Sequence, residues 1–92
     1  MDEAILQRVI KVFAEFKKKS PEEITPEMTF DELGLDSLDG LNLVFELEEE
    51  FSLMIPDDKV KEMKSVREVA EGIEYLLAHP EEQANNVKPP AA

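Results

Sequence analysis

The stretch "FDELGLDSLDGLNLVFELEEEF", residues 30–51, contains the clearest helix signal in the chain and an unusually placed serine. Asp36 stands where a helix N-cap is expected, so we predict a helix from about Ser37 to Phe51. Apolar residues in this segment recur three and four positions apart, which is typical of a helix packed against other helices. Ser37 therefore falls at a helix start, among acidic residues and with no base near it in sequence.

Three more helices are predicted around this segment. Residues 2–18 carry an apolar stripe and end in lysines, which suit a helix C-terminus. Pro56 opens a short helix, and a capping box in the letters "SVRE" opens the last helix, residues 65–78. The apolar residues expected to face inward on the last helix are Val66, Val69, Ala70, Ile73, Leu76 and Leu77.

The long connection after the first helix is predicted to be ordered. Its letters "SPEE" and "TFDE" have the pattern of capping boxes, and Gly34 offers a left-handed exit from the second turn. Apolar residues should anchor the connection to the core, because a structureless loop of this length is uncommon in a compact domain. These anchors are Ile24, Met28, Phe30 and Leu33.

The predicted fold class is all-α, a small four-helix bundle with three main helices and one short helix. The sequence has no strand signal and no internal repeat. Residues 1–79 should form the bundle. Residues 80–92 have almost nothing to bury and are predicted to be a disordered C-terminal tail.

The charge of the chain restricts its partners. The 92 residues carry a formal net charge of −12, and residues 20–58 contain thirteen Asp and Glu but no Lys or Arg. Such a surface repels nucleic acid and anionic membranes and attracts basic patches on proteins, although it could also serve solubility alone. No apolar run approaches the length of a membrane span. We expect a cytoplasmic monomer.

Ser37 lacks the neighbours that catalysis would need. A nucleophilic serine requires a base within hydrogen-bond reach, and the single histidine, His79, comes at the end of the last predicted helix. There is no cysteine, and "DSLDGLN" does not have the ligand spacing of a calcium loop. We therefore predict neither an enzyme nor a metal site.

The letters "LDSLDGLNLVFELEEEF" resemble the prosthetic-group site and following helix of the acyl carrier proteins, and the likeness covers about residues 4–79. It implies that a phosphopantetheinyl transferase attaches 4′-phosphopantetheine from coenzyme A to Ser37 through a phosphodiester. The arm ends in a thiol that carries acyl groups as thioesters. The resemblance also implies that Asp36 helps the metal-bound reaction of the transferase. The resemblance thus explains why no base lies near the Ser37 hydroxyl in sequence, because the transferase would activate the hydroxyl.

The predicted second helix has an apolar face beside Ser37. Leu38, Leu41 and Phe45 share that face, whereas Leu43, Val44, Leu47 and Phe51 should be core. The resemblance implies that this face, with Asp36, Asp39 and Glu48, meets basic patches on acyl-transferring and acyl-modifying enzymes. Asn42 should border it. The alternative is that Leu38 and Leu41 are ordinary core leucines.

Several positions depart from the fatty-acid carriers of housekeeping metabolism. Asn42 stands where those carriers usually have glutamate, and Gly40 lies inside a helix. Further departures are Lys59 and Lys61 in the short helix and the apolar Leu53 and Met54 before it. These differences argue against general fatty-acid synthesis and predict a specialised carrier that serves another set of enzymes, such as a lipid-modification or polyketide-like pathway. The alternatives are a carrier of aminoacyl or peptidyl groups and an unmodified, carrier-like regulatory subunit.

Overall fold

The computed structural model describes residues 2–83, which form four α-helices. These are α1 (Glu3–Lys17), α2 (Ser37–Phe51), α3 (Asp57–Glu62) and α4 (Val66–Ala78), with 3₁₀ turns at Pro21–Glu23 and Pro80–Glu82. Within the described part, β pairing is limited to one isolated bridge between Thr29 and Ser65. The predicted all-α, four-helix class is confirmed, and each predicted helix agrees with the observed one to within about one residue.

Polar side chains begin three of the helices, and the caps of α2 and α4 were indicated by the sequence. The Asp2 carboxylate accepts hydrogen bonds from the N–H groups of Ala4 and Ile5 at the start of α1. Ser65 accepts from Glu68 N–H and so caps α4. The reciprocal bond, from Ser65 N–H to the Glu68 carboxylate, is not found; this carboxylate accepts from Lys64 N–H instead. The predicted capping box is therefore only half formed.

One continuous core joins the long helices. Phe13 of α1, Leu43 and Leu47 of α2 and Ile73 of α4 are essentially inaccessible to solvent. The prediction that Leu77 faces inward is wrong, because its side chain is 40% exposed. Leu76 fills the core at this level of α4, and the next residue is turned about 100° away around the helix.

The connection between α1 and α2 is fixed to the start of α4 by backbone hydrogen bonds. Phe30 N–H donates to Lys64 O at 3.1 Å, and Val66 N–H donates to Met28 O at 3.0 Å. Arg67 N–H donates to Pro26 O at 2.8 Å. Of the predicted anchors, Ile24 and Leu33 are buried, while Met28 and Phe30 pack partly buried against the core. The predicted ordered connection is thus observed.

Two surface ion pairs also join separate segments of the bundle. The Arg67 guanidinium lies 2.8 Å from a Glu27 carboxylate oxygen, and this hydrogen bond lowers the pKa of Glu27. Arg8 joins α1 to the end of α2: its Nε lies 3.0 Å from the Glu50 carboxylate and its Nη2 2.7 Å from the Glu50 carbonyl. The same guanidinium lies 4.3 Å from the Phe51 ring centroid.

The chain remains attached to the bundle beyond α4. After the turn at Pro80–Glu82, the Gln83 side chain donates to Leu76 O at 3.3 Å and accepts from Met54 N–H at 3.4 Å. These contacts extend past residue 79, the predicted end of the bundle. The rest of the predicted tail, residues 84–92, lies outside the described residues. None of the helices in residues 2–83 has the length and apolar character to cross a membrane.

Candidate attachment site

Ser37 is the first residue of α2, and a reciprocal capping box fixes its position. Asp39 N–H donates to the Asp36 carboxylate at 2.8 Å, and Asp36 N–H approaches the Asp39 carboxylate at 3.4 Å. The first bond of the helix runs from Gly40 N–H to Asp36 O at 2.9 Å. Asp36 therefore holds the helix start, as predicted. Its partnership with Asp39 could have been read from the sequence, since the two acids stand three residues apart.

The Ser37 side chain is exposed, and no hydrogen bond to its hydroxyl is found in residues 2–83. His79, the one histidine of the chain, is engaged elsewhere. Its Nδ1 lies 2.9 Å from Tyr75 O, and its ring stacks on the Tyr75 ring at 4.2 Å between centroids. The hydroxyl is thus presented to solvent without a base beside it, which suits activation by a second protein.

The N-terminus of α2 also suits an anion joined to Ser37. The first N–H groups of a helix have no intrahelical acceptor, and the capping box uses only the one on Asp39. The N–H groups of Ser37 and Leu38 point out of the same helix end. Together with the helix dipole they favour negative charge there. A phosphodiester on Ser37 fits these donors.

The approach to Ser37 is rigid because it turns sharply and then buries a leucine. Gly34 has φ +72°, a left-handed conformation that few other residues adopt without strain. Leu35 N–H then donates to Phe30 O at 3.0 Å, and the Leu35 side chain is buried. The role of Gly34 was predicted, but Leu35 was missed. Its position directly before the N-cap, typical of apolar residues that pack at helix starts, was the available signal.

The predicted face of α2 is exposed. Leu38, Leu41 and Phe45 have exposed fractions of 66%, 52% and 55%, whereas Leu43 and Leu47 are buried. The alternative that Leu38 and Leu41 are core leucines is therefore wrong. Large apolar side chains this exposed and this close together are typical of a protein-binding surface. Asn42 and Asp36 are exposed beside them, and Asp39 is half-buried.

Glu48 has a structural contact that the sequence did not reveal. Its carboxylate accepts a hydrogen bond of 2.8 Å from Ile55 N–H, and Leu53 and Ile55 on either side of Met54 are buried. Glu48 thereby fixes the loop between α2 and α3. One carboxylate oxygen is used in this bond, and the half-buried side chain still borders the exposed face.

The unusual lysines of α3 have different surroundings. Lys59 Nζ lies 4.4 Å from the Tyr75 ring centroid, so it helps hold α3 on α4, and it lies 4.0 Å from a Glu62 carboxylate oxygen within α3. Lys61 is exposed. At Gly40, an added Cβ would meet nothing within 4 Å, so packing does not require a glycine there. No group of three or more potential metal ligands is found in residues 2–83.

Comparison with known proteins gives one consistent result. A family model described as "Phosphopantetheine attachment site" matches residues 7–73. The "Putative acyl carrier protein, mitochondrial" of Schizosaccharomyces pombe is 43% identical over 77 residues, 82% of this chain and 66% of that protein. The "Acyl carrier protein, mitochondrial" of Dictyostelium discoideum is 42% identical over 79 residues, 86% of this chain and 63% of that protein.

A bacterial relative matches almost end to end. The "Acyl carrier protein" of Thermosynechococcus vestitus is 37% identical over 75 residues, 80% of this chain and 93% of that protein. The chain spans slightly less than two thirds of the length of the two mitochondrial relatives. Both the family match and these relatives cover the segment around Ser37 and α2. The chain therefore belongs to the acyl carrier protein family, whose members carry covalently attached 4′-phosphopantetheine and are carriers, not enzymes.

Proposed function

We propose that this protein is an acyl carrier in which Ser37 bears the 4′-phosphopantetheine. The observation that carries the proposal is the exposed Ser37 hydroxyl at the capped start of α2, inside the segment matched by the family model. The attached arm supplies a terminal thiol, which holds acyl intermediates as thioesters. The partners are enzymes of fatty-acid, lipid or polyketide-like biosynthesis.

The residues around Ser37 act during loading. The Ser37 oxygen forms a bond to the phosphorus on the pantetheine side of coenzyme A, and the pyrophosphate bond breaks to release adenosine 3′,5′-bisphosphate. The hydroxyl proton goes to a base on the transferase, since no residue among 2–83 is found hydrogen-bonded to the hydroxyl. The Asp39 N–H bonds to one carboxylate oxygen of Asp36, and we propose that the other oxygen would assist the metal-bound reaction of the transferase.

The exposed face of α2 is the proposed docking face for these enzymes, and we define it by Leu38, Leu41, Asn42 and Phe45 with the flanking acids Asp36, Asp39 and Glu48. Its leucines and phenylalanine offer apolar contact, and the acids attract basic patches that steer association. The same acidic surface disfavours nucleic acid and anionic membranes. We propose that the carrier works as a monomer.

Intact-protein mass spectrometry tests the proposal. After coexpression with a broad-specificity phosphopantetheinyl transferase, the protein should gain the mass of one phosphopantetheine. An unchanged mass would favour the unmodified regulatory subunit. Mass analysis of the thioester on protein from its source then separates an acyl carrier from an aminoacyl or peptidyl carrier.

The compartment is a separate proposal. The cytoplasm was expected from the sequence, but two of the relatives are named as mitochondrial proteins, and we infer the mitochondrial matrix instead. Fractionation of source cells with antibody detection tests this. Recovery with matrix markers would support it, and recovery with cytosolic markers would refute it.

Asn42 is expected to limit recognition by housekeeping fatty-acid enzymes. It is exposed on the docking face, where its neutral amide cannot pair with a partner's lysine or arginine as a glutamate would. Since an exposed ion pair contributes about 0–1 kcal/mol, Asn42→Glu should increase the rate of malonyl transfer by a few-fold at low salt. The measurement is malonyl transfer onto the pantetheinylated protein by a housekeeping transacylase at two ionic strengths.

Glu22→Gln is a control for general charge effects, because it alters the net charge by one unit, in the opposite direction, at an exposed position outside the docking face. Its malonyl transfer rate should equal that of the wild type. The gain from Asn42→Glu should fade at high salt, where exposed charges are screened. A wild type already as active as a housekeeping carrier would show that Asn42 does not limit recognition.

A further inference from the structure

A groove between α1 and α2 lies outside the surface assigned to Ser37 loading. Its volume is about 550 Å³. Val12, which is buried, and Phe16, which is half-buried, supply its apolar lining from α1. The remaining lining residues are all glutamates, namely Glu15, Glu46, Glu49 and Glu50.

Three of these four carboxylates have no described cation within 4.0 Å. Glu50 is paired with Arg8 at 3.0 Å, but none of the ion pairs found in residues 2–83 involves Glu15, Glu46 or Glu49. All three are exposed. Glu46 and Glu49 lie three residues apart on one helix, where like charges repel. The groove therefore combines an apolar lining with unneutralised negative charge on both of its helices.

The groove is continuous with the docking face. Glu49 also borders a second cavity, of about 440 Å³, whose lining includes Phe45 and Glu48. An acidic edge thus runs from the docking face across α2 to Glu15 on α1. A partner seated on Phe45 can reach the groove without crossing a basic surface, because residues 20–58 contain no Lys or Arg.

We propose that this groove is a second docking site, which binds a basic amphipathic segment of a partner protein. The aliphatic stems of lysine or arginine side chains pack on Val12 and Phe16, and their cations pair with Glu15, Glu46 and Glu49. An arginine also gains from stacking on the Phe16 ring. Anionic ligands are repelled by the same carboxylates. The occupant is therefore a cationic protein segment and not a phosphate compound, nucleic acid or lipid surface.

Binding of a defined peptide to the unmodifiable Ser37→Ala protein tests this site. The probe is a short helical peptide of leucine and arginine, with its dissociation constant measured by fluorescence anisotropy. Replacing Glu15, Glu46 and Glu49 together by glutamine keeps their size and removes only their charge. We expect this triple variant to weaken binding about tenfold, as three exposed ion pairs imply.

A second triple variant removes the same charge elsewhere. Replacing the exposed acids Glu22, Glu71 and Glu81 by glutamine should weaken binding by less than about threefold, because net charge acts only at long range. Amide chemical shifts of Val12 and Phe16 should move with the peptide. Equal weakening in both variants, or shifts confined to the docking face, would overturn the proposal. Because Ser37 is absent from the assay, failure here leaves the carrier function untouched.

Discussion

Ser37→Ala is expected to abolish attachment of 4′-phosphopantetheine. The exposed hydroxyl is the only atom at the start of α2 that can form the phosphodiester, and the helix itself is capped by Asp36 and Asp39, not by Ser37. The variant should therefore fold normally and gain no mass after coexpression with a transferase. Intact-mass spectrometry measures the loss, and circular dichroism verifies the helices.

Ser20→Ala provides the matched control for this loss. Ser20 also precedes a helical turn and is exposed, and its backbone N–H and hydroxyl donate to Glu23 at 3.0 and 3.1 Å. This variant should be loaded like the wild type. If Ser37→Ala still gained one phosphopantetheine, the attachment site would have to be assigned to another residue.

Leu43→Ala is expected to destabilise the fold more than any substitution on the exposed face. Leu43 is fully buried, so the change creates a cavity and should cost about 2–5 kcal/mol. A chain of 92 residues has a total stability of roughly 5–14 kcal/mol. The melting temperature should fall by roughly 10–30 °C, as measured by thermal denaturation followed by circular dichroism.

Leu38→Ala makes the same chemical change on the same helix but at a site 66% exposed. Its stability should stay within about 0.5 kcal/mol of the wild type. Its effect should appear in docking, as a weaker affinity for a partner enzyme by up to about tenfold. A large loss of stability in Leu38→Ala would mean that the leucine is packed in solution and that the docking face is wrongly assigned.

The sequence was sufficient to predict the helices and the position of Ser37, because both depend on local chemistry. Asp36, Pro56 and Ser65 each mark a helix start with a cap or a ring-fixed φ, and the structure starts α2, α3 and α4 directly after them. The helical period placed Leu38, Leu41 and Phe45 on one face of α2, and the family resemblance indicated that this face meets partners. Leu77 was misassigned because it lies at the edge of the stripe, where the period does not separate buried from exposed positions.

Contacts between distant segments could not be predicted in the same way. The bond from Ile55 N–H to Glu48 depends on how the loop after α2 turns back, and the placement of Lys59 over Tyr75 depends on how α3 packs on α4. Neither leaves a periodic signal. The exposure of Leu38 and Leu41 and the additional role of Glu48 were both established only by the folded structure.

The backbone bonds between the connection and the start of α4 have a consequence for hydrogen exchange. The amide N–H groups of Phe30, Val66 and Arg67 form these bonds. Each bond joins the connection that precedes α2 to the chain segment at the start of α4, which follows it. Such bonds open only when the two segments separate, so these amide protons should exchange as slowly as those in the helical core. The Phe30 amide lies in a segment without regular helix, where rapid exchange would otherwise be expected. Slow exchange there would mean that the orientation of Ser37 persists for as long as the whole bundle stays folded.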